Sequence, residues 1–126
     1  MNQQNNKITV VVLGASPKPE RYSNMAIKSL LEHGYKVIPI TPSGIEINGL
    51  KSLKSVDEIN EPVDTLTMYI NGERSSTIAD SIIKLRAKRI IFNPGTENPN
   101  LAEQCEATGS KTLEACTLVM LNTAQF

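Results

Sequence analysis

Ile8-Thr9-Val10-Val11-Val12-Leu13, closed by Gly14, is the stretch that decides the fold. It is an uncharged, mostly β-branched run ending at a turn residue. A strand with one wet face would alternate polar and apolar residues, so this run predicts a strand buried on both faces. A strand of that kind belongs in a parallel sheet with helices packed above and below it. The rest of the chain repeats the same grammar. Ser23 or Asn24 caps a helix whose apolar residues Ala26, Ile27, Leu30 and Leu31 recur at helical spacing, and Gly34 ends it. Lys36 to Ile40 is the second strand, short or unpaired at Pro39, which has no N–H to give a ladder.

Further along, Thr41 to Ser55 is punctuated by Gly and Pro, with a short edge strand expected near Gly49 to Leu53. Asp57, Glu58, Glu61 and Asp64 read as a solvated face around Pro62. Thr65 to Ile70 is the next strand, Asn71-Gly72 the turn after it, and Glu73 to Ala87 a helix. Arg89 to Asn93 is a fourth long strand. Asn98-Pro99 starts a helix, an oxygen-bearing cap followed by proline at the first helical position, and Gly109 stops it. Thr112 to Ala115 is the last strand and Thr117 to Asn122 a terminal helical turn or two. Strands alternating with helices give an α/β fold: Rossmann-like, doubly wound, with a mainly parallel sheet and helices on both faces. Residues 1–6 are expected to form a disordered polar tail and residues 7–126 a single domain.

Composition narrows the class of ligand. Thirteen basic and thirteen acidic residues cancel, which argues against a nucleic-acid partner, since those domains carry a basic excess or stripe. No apolar run approaches the roughly 20 residues of a membrane span. Two cysteines, Cys105 and Cys116, form no disulfide framework, and a cytosolic, that is cytoplasmic, protein with free thiols is the expectation. Only 4% of residues are aromatic, so the core must be aliphatic.

In open α/β sheets ligands bind beyond the carboxyl ends of the strands. Those ends read Gly14-Ala15-Ser16, Thr41-Pro42-Ser43-Gly44, Asn71-Gly72, Asn93-Pro94-Gly95-Thr96 and Cys116-Thr117: small, polar, and rich in backbone amides. Such a surface suits a phosphorylated ligand better than acid–base catalysis, and no catalytic residue is expected. After Gly14 the Gly-x-Gly-x-x-Gly fingerprint is not completed. The loop runs Ser16-Pro17-Lys18-Pro19-Glu20-Arg21 instead, so Ser16 offers a hydroxyl, Lys18 and Arg21 positive charge, and the helix start at Ser23-Asn24 aligned amides. A helix amino end favours a phosphate by about 1 kcal/mol. NAD is disfavoured because Thr41-Pro42-Ser43 stands where an acid would hold the ribose; Lys51 reads as a surface lysine, with a ribose phosphate within its reach as the alternative.

Taken together, Val10 to Pro17, Arg21, Leu30 to Pro42, Asn93 to Asn98 and Glu114-Ala115-Cys116 resemble the small stand-alone CoA-binding proteins. Their domain is similar to the amino-terminal domain of the succinyl-CoA synthetase alpha subunit. The chain departs from that pattern at Tyr22, where proline is commoner, and at Asn93-Pro94-Gly95-Thr96. The resemblance implies coenzyme A as the cofactor, or an acyl-CoA. Its phosphates would lie over Gly14, Ala15 and Ser16 and the helix start, its adenosine near Thr41 and Pro42, and its pantetheine arm near Asn71 and Pro94. The synthetases need a further ligase domain, a phosphorylated histidine and an ATP-grasp partner, which 126 residues do not hold.

Other features have plainer explanations. His33, in the last turn of its helix, suits the negative helix end. The run Lys84, Arg86, Lys88, Arg89 reads as a solvated helix end, no Walker A motif is present, and His33, Cys105 and Cys116 lack zinc-ligand spacing. Cys105 is expected in the core. Cys116, at a strand end before a helical turn, leaves a redox alternative open, a mixed disulfide with the CoA thiol. Also open are an NAD(P)-binding oxidoreductase module, an acyl-CoA-responsive regulator acting through a partner, and a homodimer.

Overall fold

A computed structural model describes residues 8–126, so the polar tail expected at residues 1–6 lies outside the described residues. Five strands form one parallel sheet: β1 (Thr9–Leu13), β2 (Lys36–Ile40), β3 (Thr65–Met68), β4 (Arg89–Phe92) and β5 (Lys111–Glu114), in the order β2-β1-β3-β4-β5. The helices are α1 (Tyr22–Glu32), α2 (Gly72–Thr77), α3 (Ala79–Leu85), α4 (Pro99–Ala107) and α5 (Thr117–Asn122). β1 is buried at every position. Val10 and Val12 face a layer with Ile27, Leu30 and Leu121 from α1 and α5. Val11 and Leu13 face the opposite layer, with Ile82, Leu101 and Cys105 from α3 and α4. Two apolar layers on one sheet are what the continuous β-branched run required.

The edge strand expected near Gly49 to Leu53 is reduced to a single parallel bridge, Ile40 to Leu53. Leu53 N–H donates to the Pro39 carbonyl at 2.9 Å and Thr41 N–H to the Leu53 carbonyl at 2.9 Å. Pro39 therefore turns its nitrogen away from β1, and its missing N–H removes no bond from the β1–β2 ladder. Counted as a rudimentary strand, the Leu53 segment makes the order 3-2-1-4-5-6 of the Rossmann fold. The strand order reverses between β1 and β3, and the cleft opens there.

Four local expectations change. Arg21, not Ser23 or Asn24, occupies the N-cap of α1, and no side chain caps it. The helix expected over Glu73–Ala87 breaks at Ile78 (φ −123°, ψ 24°) and stops at Leu85. Ser75 Oγ donates to the Gly72 carbonyl and Thr77 Oγ1 to the Arg74 carbonyl, 3.1 and 2.6 Å away, so the hydroxyls compete for the helix's own acceptors just before the break. The acidic stretch is not simply solvated. It contains a 3₁₀ turn, Val56–Glu58, that buries Val56, and Lys36 pairs with Glu61 at 2.6 Å. Arg89, expected in a solvated run, is half-buried, with its Nε donating to Thr65 Oγ1 at 3.0 Å and its guanidinium 4.3 Å from the Phe126 ring centre.

Candidate functional site

Gly14 ends β1 with φ +95°, a conformation that costs only glycine little. A Cβ there would lie 2.8 Å from the Tyr69 backbone and 2.9 Å from Ile70 Cγ2. The turn is thus pressed against the end of β3. The N–H groups of Gly14 and Ala15 both donate to the Ile40 carbonyl, at 3.2 and 2.9 Å. They stitch β1 to β2, so the amides expected to meet a phosphate at these two positions already have a partner. Asn24 is fully buried, its Nδ2 donating to the Ser16 carbonyl at 2.8 Å and its Oδ1 accepting from Asn48 Nδ2 at 3.3 Å. It braces the loop from behind rather than facing a ligand.

Eight of the residues expected at the site do converge. Gly14, Ala15, Ser16, Lys18, Arg21, Ser23, Thr41 and Pro42 line one open basin of about 470 Å³, together with Tyr22, Tyr69, Ile70 and Arg74. Lys18, Arg21 and Arg74 are all exposed, and no acid lies on the wall or in the first turn of α1. With no side chain capping α1, its first-turn amides stay available beside those three cations. Arg74 was not legible beforehand. Asn71 Oδ1 accepts from Arg74 N–H at 2.8 Å and caps α2, so β3 delivers Arg74 to the cleft through that turn.

On one side this basin runs into a narrower one of about 190 Å³, sharing Gly14, Pro42, Ile70 and Arg74 and adding Val56, Ile78 and Lys54. The break between α2 and α3 is what turns Ile78 to this wall. Lys51 lies elsewhere, in a groove with Val37, Ile38 and Leu50, so Lys54 stands where Lys51 was expected.

On the other side, Tyr22 and Tyr69 are shared with a third basin of about 430 Å³, walled also by Asn93, Pro94, Cys116, Leu118 and Val119. Asn93 is 3% exposed. Its Nδ2 donates to Thr67 Oγ1 and the Met68 carbonyl at 2.7 and 2.8 Å, and its Oδ1 accepts from Thr117 N–H at 2.8 Å. It welds the ends of β3, β4 and α5 into a rigid floor. The buried Tyr69 hydroxyl has no hydrogen bond of ordinary geometry. Burial pushes its pKa from 10 up to about 12; neighbouring Cys116 adds to the shift, and the Thr67 and Thr117 hydroxyls oppose it. Tyr69 is a neutral donor at any physiological pH. Pro94 thus sits in this third basin, whereas Asn71 is not on the wall of any of the three. Cys105 is buried in the core, and burial raises its thiol pKa.

Residues 8–122 match the family model described as a CoA binding domain. The chain belongs to the CoA-binding domain family. It is 41% identical over 71 residues to the alpha subunit of the ADP-forming acetate–CoA ligase I of Pyrococcus furiosus, covering 52% of this chain and 15% of that subunit. It is 28% identical over 100 residues to the uncharacterized protein YneT of Bacillus subtilis, covering 79% of this chain and 74% of the other. A crystal structure of an uncharacterized protein superposes with a TM-score of 0.89 at 37% identity, over 94% of this chain and 98% of that one. This CoA-binding domain contains no helix long and apolar enough to cross a membrane among its described residues. Nor do the described residues of the domain gather three or more His, Cys, Asp or Glu side chains where a metal could sit.

Proposed function

We propose that this protein binds coenzyme A or an acyl-CoA along the three connected basins at the carboxyl ends of the sheet. The observation that carries the reading is their order: a narrow, mainly apolar slot that also holds Lys54 and Asp57, a cationic bowl, an apolar hollow. Coenzyme A has the same order, with adenosine, then phosphates, then the pantetheine arm and thiol. Adenosine fits against Pro42, Val56, Ile70 and Ile78, with Lys54 at the rim for the ribose phosphate. The diphosphate fits beside Ser16, Lys18, Arg21, Arg74 and the first turn of α1. Because the Gly14 and Ala15 amides are bonded to Ile40, the phosphate contacts fall to Ser16, the cations and α1 rather than to the first two residues of the turn. Pantetheine then passes between Tyr22 and Tyr69 toward Pro94. The domain's part is to hold the ligand, and no acid–base pair enters the reading.

Isothermal titration of CoA into the wild type, Arg21→Ala and Arg74→Ala tests it. Each substitution is expected to weaken CoA by roughly 1 kcal/mol, about fivefold, at low ionic strength. The loss should shrink in high salt, where exposed charges are screened. A loss that ignores salt would instead point to distortion of the loop, and unchanged affinity would remove the cationic bowl from the account.

A further inference from the structure

We propose that the hollow beyond Tyr22 and Tyr69 is an acyl seat, and that the species this protein takes in preference is an acyl-CoA with an apolar acyl group. The inference rests on the CoA reading above and specifies the ligand's reactive end. Among the described residues, no charged side chain lines the hollow. Its one amide, Asn93, has its Nδ2 and Oδ1 engaged by Thr67, Met68 and Thr117. What remains is the Tyr22 and Tyr69 rings, Pro94, the Cys116 side chain, Leu118 and Val119.

Tyr22 is 71% exposed and Val119 57% exposed, and both border the same opening. Single exposed apolar residues are ordinary, but two lining one hollow of about 430 Å³ form a site that an apolar group would cover. Continuity names the occupant. The hollow shares Tyr22 and Tyr69 with the cationic bowl, so a ligand anchored there by phosphates has its far end led into this space. The pantetheine arm enters past the two tyrosines, and a bare thiol at its end would leave Leu118 and Val119 without an apolar partner. A carboxylated acyl group would bring a charge where no cation answers it.

Titration with free CoA, acetyl-CoA, butyryl-CoA, hexanoyl-CoA and succinyl-CoA tests the seat. Affinity should rise roughly two- to fourfold for each methylene added from acetyl to hexanoyl, the increment expected for a buried CH₂. Succinyl-CoA should bind no tighter than free CoA. Val119→Asp should collapse the ratio of hexanoyl-CoA to CoA affinity toward one, and thermal unfolding of that exposed-site variant checks that it is folded. If CoA binds and chain length has no effect, the acyl seat is wrong while the CoA reading stands. If no CoA species binds, the CoA reading itself has failed. A wild-type dimer that Val119→Asp dissociates, with no dependence on acyl length, would give the hollow to a second copy of the chain and overturn the seat.

Discussion

At the scale of single residues, Gly14 carries more of the architecture than its place in a loop suggests. Its positive φ and its close approach to Tyr69 are two separate demands met by one missing side chain, while its backbone N–H bonds Ile40. Gly14→Ala should destabilise the domain by more than about 1 kcal/mol, since strain and a backbone clash add, and urea denaturation would measure it. The glycine was legible in the sequence as a turn. That its amide serves the sheet was not, because the partner, Ile40, lies 26 positions later. Tyr69 makes a second prediction. With its pKa raised from 10 to about 12, the native state keeps the phenol protonated while the unfolded chain ionises. The stability this represents is whole below pH 10 and is lost as pH rises from 10 through 12, on the order of 2 kcal/mol in all. Tyr69→Phe should flatten that slope in unfolding measured across the range. A phenolate absorbance titrating with its midpoint near pH 10 for all three tyrosines would contradict it.

Among elements, the strands were legible and the long second helix was not. β-branched runs ending at turn residues announce strands locally, since burial on both faces leaves no other pattern. The helix broke where the Ser75 and Thr77 hydroxyls compete for its backbone carbonyls, a conflict that apolar spacing at Ile82 and Leu85 conceals. Asn98 shows how the broken helix is held. Its Nδ2 donates to the Gly72 carbonyl, Ser75 Oγ and Ser76 Oγ at 3.1, 2.8 and 3.0 Å, while its Oδ1 accepts from Leu101 N–H at 3.1 Å. One side chain caps α4 and ties it to α2. Asn98→Ala should cost about 1–3 kcal/mol, more than a cap alone, through the buried partners it strands. Because α2 carries Arg74, the same variant should also loosen CoA. Chemical denaturation and CoA titration read the two effects separately.

For the molecule as a whole, the neutral charge balance hides a local asymmetry. Thirteen charges of each sign cancel over the chain, yet three cations and no acid line the central basin. Lys18 and Arg21 were visible as a basic loop beside a helix start. Arg74, Lys54 and Tyr69 belong to distant segments, and only the sheet order brings them to the switch point between β1 and β3. The competing ligand is a dinucleotide, which the same fold class holds elsewhere. Here the second strand ends in Thr41-Pro42 with Glu46 off the wall of the cleft, and the acid that does line the narrow slot, Asp57, comes from the 3₁₀ turn and not from the end of β2. Thermal unfolding with CoA, NAD, NADP and ATP, each over a wide concentration range, is the most direct test. CoA is expected to stabilise the domain by about 2.7 kcal/mol at a hundred times its dissociation constant, with NAD, NADP and ATP giving less at equal concentration. Stabilisation by NAD or NADP with none by CoA would contradict the account.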